Sequence, residues 1–388
     1  MRPRKPLRVD TVSSLYGQGL KNTAHWNTVT LNTWERADVL TQIFQRRKQM
    51  AVVSQQRVLT SSRVTISKGL IAVAASTLAL VILGVLFAPA SVSPGAVLGM
   101  LPFAAVLAIV GLGQMLVVQQ GGIDLSVPGA VSLAVVISTH MPNGNDAMLL
   151  PAILVVYTWA IGAGVLNGFL VGRLGLNPII ATLGTNALLF GAVLGISGGI
   201  PRTTTRLLSN IAGGQTAGLP NSVLFAVGTL VLVMILVKKT AAGRRFEAVG
   251  ASPAAARATG LRFKTHQGSA YVWAQLLFAT AGILLAGITN QPTAFQGNNY
   301  LLTSVAVVVL GGTSLLGGRG FPAATVVAAV FLTQLDQFVL ALGVPFAVRT
   351  LVQAAALGVG VAIYTVNWPA VRERLGISRR RQDTNEGS

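Results

Sequence analysis

The sequence predicts an all-α integral membrane protein of about ten transmembrane helices, interrupted by glycine-rich broken or re-entrant segments. Three observations predict it. The chain is 52% hydrophobic and only 10% charged, with a mean hydropathy of +0.65; soluble domains carry about 25% charged residues. Only four of its ten acidic residues, Asp124, Asp146, Glu247 and Asp336, lie between residues 70 and 366. Apolar runs recur throughout that stretch, at about 69–88, 96–118, 127–140, 148–171, 178–196, 221–237, 269–289, 301–316, 321–342 and 346–366. An untilted crossing needs about 20 such residues, and most of these runs approach or reach that length.

Residues 1–67 read as a basic, polar cytoplasmic tail. Ala37, Leu40, Ile43 and Phe44 share one helical face behind Thr33, a natural N-cap. Two readings stand for this segment: an interfacial helix, or a tail drawn loosely to anionic membrane lipid. No cleavable signal is expected, because the first apolar run begins near Leu70. The bundle follows from 68 to 366, and a basic cytoplasmic tail from 367 to 388. Ten crossings place both tails on one side, with the basic stretch 238–267 and Arg173 on that side too. The loop 197–220 and the Asn143–Asp146 turn then fall on the other. Eight crossings plus re-entrant pieces is the alternative count.

The net charge of +19 invites a nucleic-acid reading. Its distribution argues against one. Twelve of the 29 Lys and Arg residues lie in 1–68, seven in 238–264 and five in 372–381, outside the apolar runs. That is the positive-inside pattern, which orients helices and needs no nucleic-acid partner. There are no cysteines, and His25, His140 and His266 have no metal-ligand spacing, so no metal site is expected.

The runs are broken twice by glycine and polar residues. Gly121-Gly122-Ile123-Asp124-Leu125-Ser126 follows the run ending at Val118, and Gly311-Gly312-Thr313-Ser314-Leu315-Leu316-Gly317-Gly318-Arg319-Gly320 follows the one beginning at Leu301. Paired interruptions of this kind point to a polar path through a membrane protein. Gly121, Gly122, Asp124, Ser126, Gly311, Gly312, Thr313 and Ser314 are therefore the gate candidates. Asp124 has two readings, a carboxylate at the path or holding its wall, and a cap for the helix starting near Val127-Pro128. Asp336 is either interior to the bundle or near an outer helix end. Gln114, Asn167, Asn186 and Gln275 are candidates for lining the path. The plainer reading is interhelical hydrogen bonding, worth about 0.6 kcal/mol each.

Within 238–267, Ser252-Pro253-Ala254-Ala255-Ala256-Arg257-Ala258-Thr259-Gly260 specifies a short helix at both ends. Ser252 is the N-cap, Pro253 suits the first helical position, alanine favours the helix, and Gly260 stops it. A helix this short does not persist alone in water, so it is expected to dock on a partner.

The blocks Gly121-to-Ser126, Asn177-Pro178-Ile179-Ile180-Ala181-Thr182-Leu183-Gly184, Gly243-to-Gly260 and Val309-to-Gly320 occur in an order that resembles the ribose/monosaccharide class of ATP-binding-cassette importer permeases, over residues 70–366. The stretch Gly297-Asn298-Asn299-Tyr300-Leu301-Leu302 departs from that class in lacking an acidic residue. The resemblance implies a non-enzymatic transmembrane subunit in the bacterial inner membrane, importing a monosaccharide or similar polyhydroxylated solute. It implies coupling to a cytoplasmic ATPase through Glu247, Gly250, Pro253, Ala255, Arg257 and Gly260. It also implies an extracytoplasmic solute-binding protein and a second permease copy or homologous chain. No phosphate-binding loop of the G-x-x-x-x-G-K-[ST] type occurs, so the expected ATP belongs to the partner subunit and no cofactor to this chain. An ion-coupled transporter using Asp124 and Asp336, and a membrane scaffold without transport, are the competing readings.

Overall fold

The computed structural model describes residues 68–345 and some positions between 347 and 358. The expected tails and most of the run at 346–366 lie outside the described residues. Among the described residues the long helices are α1 (Lys68–Phe87), α2 (Pro94–Gln119), α4 (Leu149–Gly168), α5 (Pro178–Ser197), α7 (Asn221–Met234), α10 (Phe263–Thr289) and α12 (Pro322–Ala341). With the wide turns that extend α4 through Arg173 and α7 through Lys239, these seven are long and apolar enough to cross a membrane. Two apolar helices packed among them, α3 (Val127–His140) and α11 (Tyr300–Leu310), are short. At 1.5 Å per residue they extend about 21 and 17 Å, well under the roughly 30 Å of hydrocarbon.

Sequence punctuation sets the helix starts. Ser93 caps α2 through Ala96 N at 3.4 Å, with Pro94 in the first position. Asn177 caps α5 by accepting from Ile179 N at 2.9 Å, with Pro178 following it. Two boundaries differ from the apolar runs. The helix expected over 269–289 starts at Phe263, because its first turns are polar and carry no hydropathy signal. The run 301–316 is helical only to Leu310, because Gly312 has φ +85°, in the left-handed region.

The centre of the bundle is α2, α3 and α10. Helix α10 packs on α4, α2 and α3; α12 packs on α2 and α1, and α3 packs on α5. Every residue of α3 from Val127 to Thr139 is buried. Close approach depends on small residues: a Cβ at Gly168 of α4 would lie 2.6 Å from the Gly268 carbonyl oxygen of α10. By contrast α1, α5 and α7 turn large apolar side chains outward, among them Leu86, Ile180 and Leu232.

The two ends of the bundle differ. One, the basic end, gathers the start of α1, the end of α2, the second glycine break, and two further helices, α8 (Ala241–Ala251) and α9 (Pro253–Ala258). The opposite end carries α6 (Arg206–Gly213) and a two-residue antiparallel hairpin pairing Gln215 with Pro220 and Thr216 with Leu219. There Asp146 accepts from Leu207 N at 3.0 Å, Arg202 donates to Asn143 at 2.7 Å, and Ser209 donates to Asn290 at 2.7 Å.

Candidate functional site

Between α2 and α3 the chain leaves the helix while still largely buried, where unpaired backbone groups are costly. The amides of Gln120, Gly121 and Gly122 turn back onto the Val117 and Val118 carbonyls at 2.9–3.2 Å. Gln114, in the amide orientation that satisfies both its ends, brackets Asp124: its nitrogen donates to the Asp124 carbonyl at 3.1 Å and its oxygen accepts from the Asp124 amide at 3.2 Å. Leu125 N donates to Thr182 Oγ1 at 2.9 Å, and Gly129 N to Asn186 Oδ1 at 2.8 Å. Side chains from α2 and α5 thus stand in for the missing helical bonds.

The Asp124 carboxylate lies inside this frame and is buried. Its Oδ1 accepts from both the amide (2.9 Å) and the hydroxyl (2.5 Å) of Ser126. Gln275 Nε2 of α10 donates to Asp124 Oδ2 at 3.1 Å and to Ser126 Oγ at 2.7 Å. Asn167 Nδ2 of α4 donates to Ser126 Oγ at 3.0 Å, and Thr185 of α5 donates to Asn167 Oδ1 at 2.6 Å. The structure therefore brings Gln114, Asn167, Asn186 and Gln275 together at the first break, from four helices. Asp124 holds the turn before α3 rather than sitting at its N-cap position, which is Ser126. Asp336 is half-buried on α12, in its last turns, away from this cluster.

A second irregular stretch meets α3 from the opposite end of the bundle. Gly297 N donates to Ser132 Oγ at 3.0 Å, and a Cβ at Gly297 would overlap the Pro128 carbonyl oxygen. Two half-length helices, α3 and α11, therefore start near one another inside the bundle. Between α3, α4 and α5 a cavity of about 300 Å³ is lined by Ile137, His140, Met141, Val155, Trp159, Ile196 and Arg202. A narrower one shares Ile137 and Trp159 with it and is lined also by Gln275, whose Oε1 has no partner among the described residues.

The second break abuts the first. Gly311 is wedged between α1 and α12: a Cβ there would lie 2.9 Å from Thr325 N, and one at Gly69 would lie 2.8 Å from the Gly311 carbonyl oxygen. Thr313 Oγ1 accepts from Phe321 N at 3.4 Å, and Ser314 Oγ from Leu316 N at 3.2 Å. Gly318 N donates to the Gln119 carbonyl at 3.0 Å, and a Cβ at Gly317 would lie 3.2 Å from Gly121 N.

Helix α8 closes over this junction. A Cβ at Gly250 would overlap the Gln119 carbonyl oxygen. Glu247 forms an ion pair with Lys238 and accepts from Gln119 Nε2 at 3.3 Å; Gln120 Nε2 donates to the Phe246 carbonyl at 2.9 Å. The adjoining α9 forms as its sequence specifies. Ser252 Oγ accepts from Ala255 N at 3.3 Å, and Gly260 follows at φ +76°. Glu247 and Gly250 thus face the bundle, while Pro253, Ala255, Arg257 and Gly260 are exposed. Arg257 lies 5.4 Å from the Phe263 ring centroid. Sequence reasoning did not single out Gln119, Gln120, Thr185 or Tyr271. The glutamine pair carried the available signal, being polar at the end of an apolar run and directly before two glycines.

Comparison with known proteins agrees with this architecture. No solved structure matches the chain. A probable ABC transporter permease protein, y4mJ, of Sinorhizobium fredii is 38% identical over 245 residues, covering 62% of this chain and 72% of that protein. The ribose import permease protein RbsC of Bacillus subtilis is 31% identical over 290 residues, 73% of this chain and 89% of its own length. The galactofuranose transporter permease protein YtfT of Escherichia coli is 33% identical over 273 residues, 68% and 77% respectively. These relatives are transport components rather than enzymes. The profile of the family described as branched-chain amino acid transport system / permease component matches residues 96–359, and the chain belongs to that family as a multi-pass protein of the bacterial inner membrane.

Proposed function

We propose that this chain is the permease subunit of an ATP-binding-cassette importer that passes a monosaccharide or a similar small polyhydroxylated solute. The observation that carries the reading is the α8–α9 unit. Helix α9 is specified at both ends, too short to stand alone, and exposed on the basic end, while α8 is seated on both glycine breaks. A cytoplasmic ATPase gripping α9 has a direct mechanical route to the breaks. The positive-inside rule supports a cytoplasmic basic end. An extracytoplasmic solute-binding protein then meets the end carrying α6, and a second permease copy or a homologous chain completes the path. ATP stays on the partner subunit. The solute class follows from relatives named for ribose, fructose and galactofuranose.

The test is reconstitution with the ATPase and solute-binding protein. Uptake of a labelled monosaccharide should require ATP, and Ala255→Glu should abolish solute-stimulated hydrolysis or release the ATPase, with membrane insertion unchanged. Uptake by the permease alone on an ion gradient, or wild-type coupling in Ala255→Glu, overturns the assignment. Absence of flux under every condition favours a scaffold.

A further inference from the structure

We propose that Gln119, the last residue of α2, is the positioning residue that ties the α8–α9 unit to both glycine breaks. The proposal deepens the transport reading and rests on it. Two segments distant in sequence, the second break and α8, converge on this one buried side chain and its carbonyl. From the second break, Gly318 N donates to the Gln119 carbonyl at 3.0 Å. From α8, Gly250 backs onto the same carbonyl with no room for a side chain, and Glu247 accepts from Gln119 Nε2 at 3.3 Å. The first break begins at the next residue, Gln120, which is itself tied to Phe246.

The chemistry favours an amide here. Glu247 is already engaged by Lys238, so its carboxylate has a fixed direction and one oxygen shared between two donors. A hydrocarbon at 119 withdraws one of those donors. A carboxylate sets like charges together at a half-buried site. The other half of the amide is also informative. Gln119 Oε1 is buried without a hydrogen-bond partner among the described residues and faces Gly320, where a Cβ would lie 2.8 Å away. A buried acceptor left open is a cost in this arrangement. Gly317 and Gly318, at φ +90° and +112°, hold the second break in a conformation suited to glycine. Gln119 thus holds this arrangement through Nε2 and its carbonyl and keeps Oε1 open toward the second break.

The cysteine-free chain allows a direct test. Ala255→Cys and Leu316→Cys, both at exposed positions, carry spin labels on α9 and on the tip of the second break. In the detergent-solubilised permease without ATPase, the interlabel distance should be narrowly distributed. Gln119→Glu should broaden it, and Gln119→Glu with Glu247→Gln should narrow it again by restoring an amide–carboxylate pair in swapped order. Gln119→Leu, which removes the amide, should also broaden it. In the reconstituted complex, Gln119→Glu should lower solute stimulation of ATP hydrolysis at least fivefold while the ATPase still co-purifies, and the double variant should recover to within twofold of wild type. Narrow distances in Gln119→Leu, or a double variant no better than Gln119→Glu, overturn the proposal. If the unaltered permease captures no ATPase, the transport reading fails, and the label distances still decide whether Gln119 forms the joint.

Discussion

Gly122 has no space for a side chain: a Cβ there would lie 2.5 Å from the Tyr271 hydroxyl and 3.3 Å from Val117 Cγ1. Overpacking of this kind costs about 1–3 kcal/mol, and here the displaced part is the turn that places Asp124. Gly122→Leu should therefore insert at wild-type level and lose transport, as read by uptake at matched expression. Normal uptake would remove Gly122 from the tight contact. The identities of the polar residues around Asp124 were legible in the sequence, because an amide or carboxylate within an apolar run must find a partner. Their pairing was not. Asn167 and Gln275 are 108 residues apart and meet through Ser126. Tyr271 and Thr185 carried no signal, since tyrosine and threonine sit in apolar helices without requiring a special explanation.

At the scale of elements, α9 was the most legible, since each of its boundary residues has a local mechanism independent of the rest of the fold. The same locality makes it sensitive to propensity. Ala255→Gly should weaken the helix by about 1 kcal/mol. With a buried Ala256 as its only seat among its six residues, that loss should appear as roughly fivefold faster amide exchange at Ala256 and Thr259 in the isolated permease. Unchanged exchange would show that packing, not propensity, holds α9. Helices α3 and α11 were harder to read. Their shortness was visible, but the backbone leading into them is held by side chains from other helices, Thr182, Asn186 and Ser132. Hydropathy gives length, and no count of apolar residues reports such borrowed hydrogen bonds.

For the whole molecule, the grouping of segments into two ends followed from parity and charge. Single-cysteine labelling checks the orientation: an impermeant reagent outside intact cells should label Asn145→Cys and leave Ala255→Cys unmodified. External labelling of Ala255→Cys would overturn it. What lay beyond sequence reasoning was the junction at Gln119, because α8 meets α2 across more than 120 residues of chain, through contacts that no local pattern encodes. That junction has a thermodynamic corollary. A joint that lets the ATPase bias the breaks lets the breaks bias the ATPase by the same free energy, since linkage between two binding events is reciprocal. Couplings of this kind are typically about 1–3 kcal/mol, or roughly 5–150-fold in affinity. Solute held at the breaks should therefore change the nucleotide-free ATPase's dissociation constant by the factor with which ATPase binding changes the solute's. The cytoplasmic partner would sense occupancy of the bundle before any nucleotide is spent.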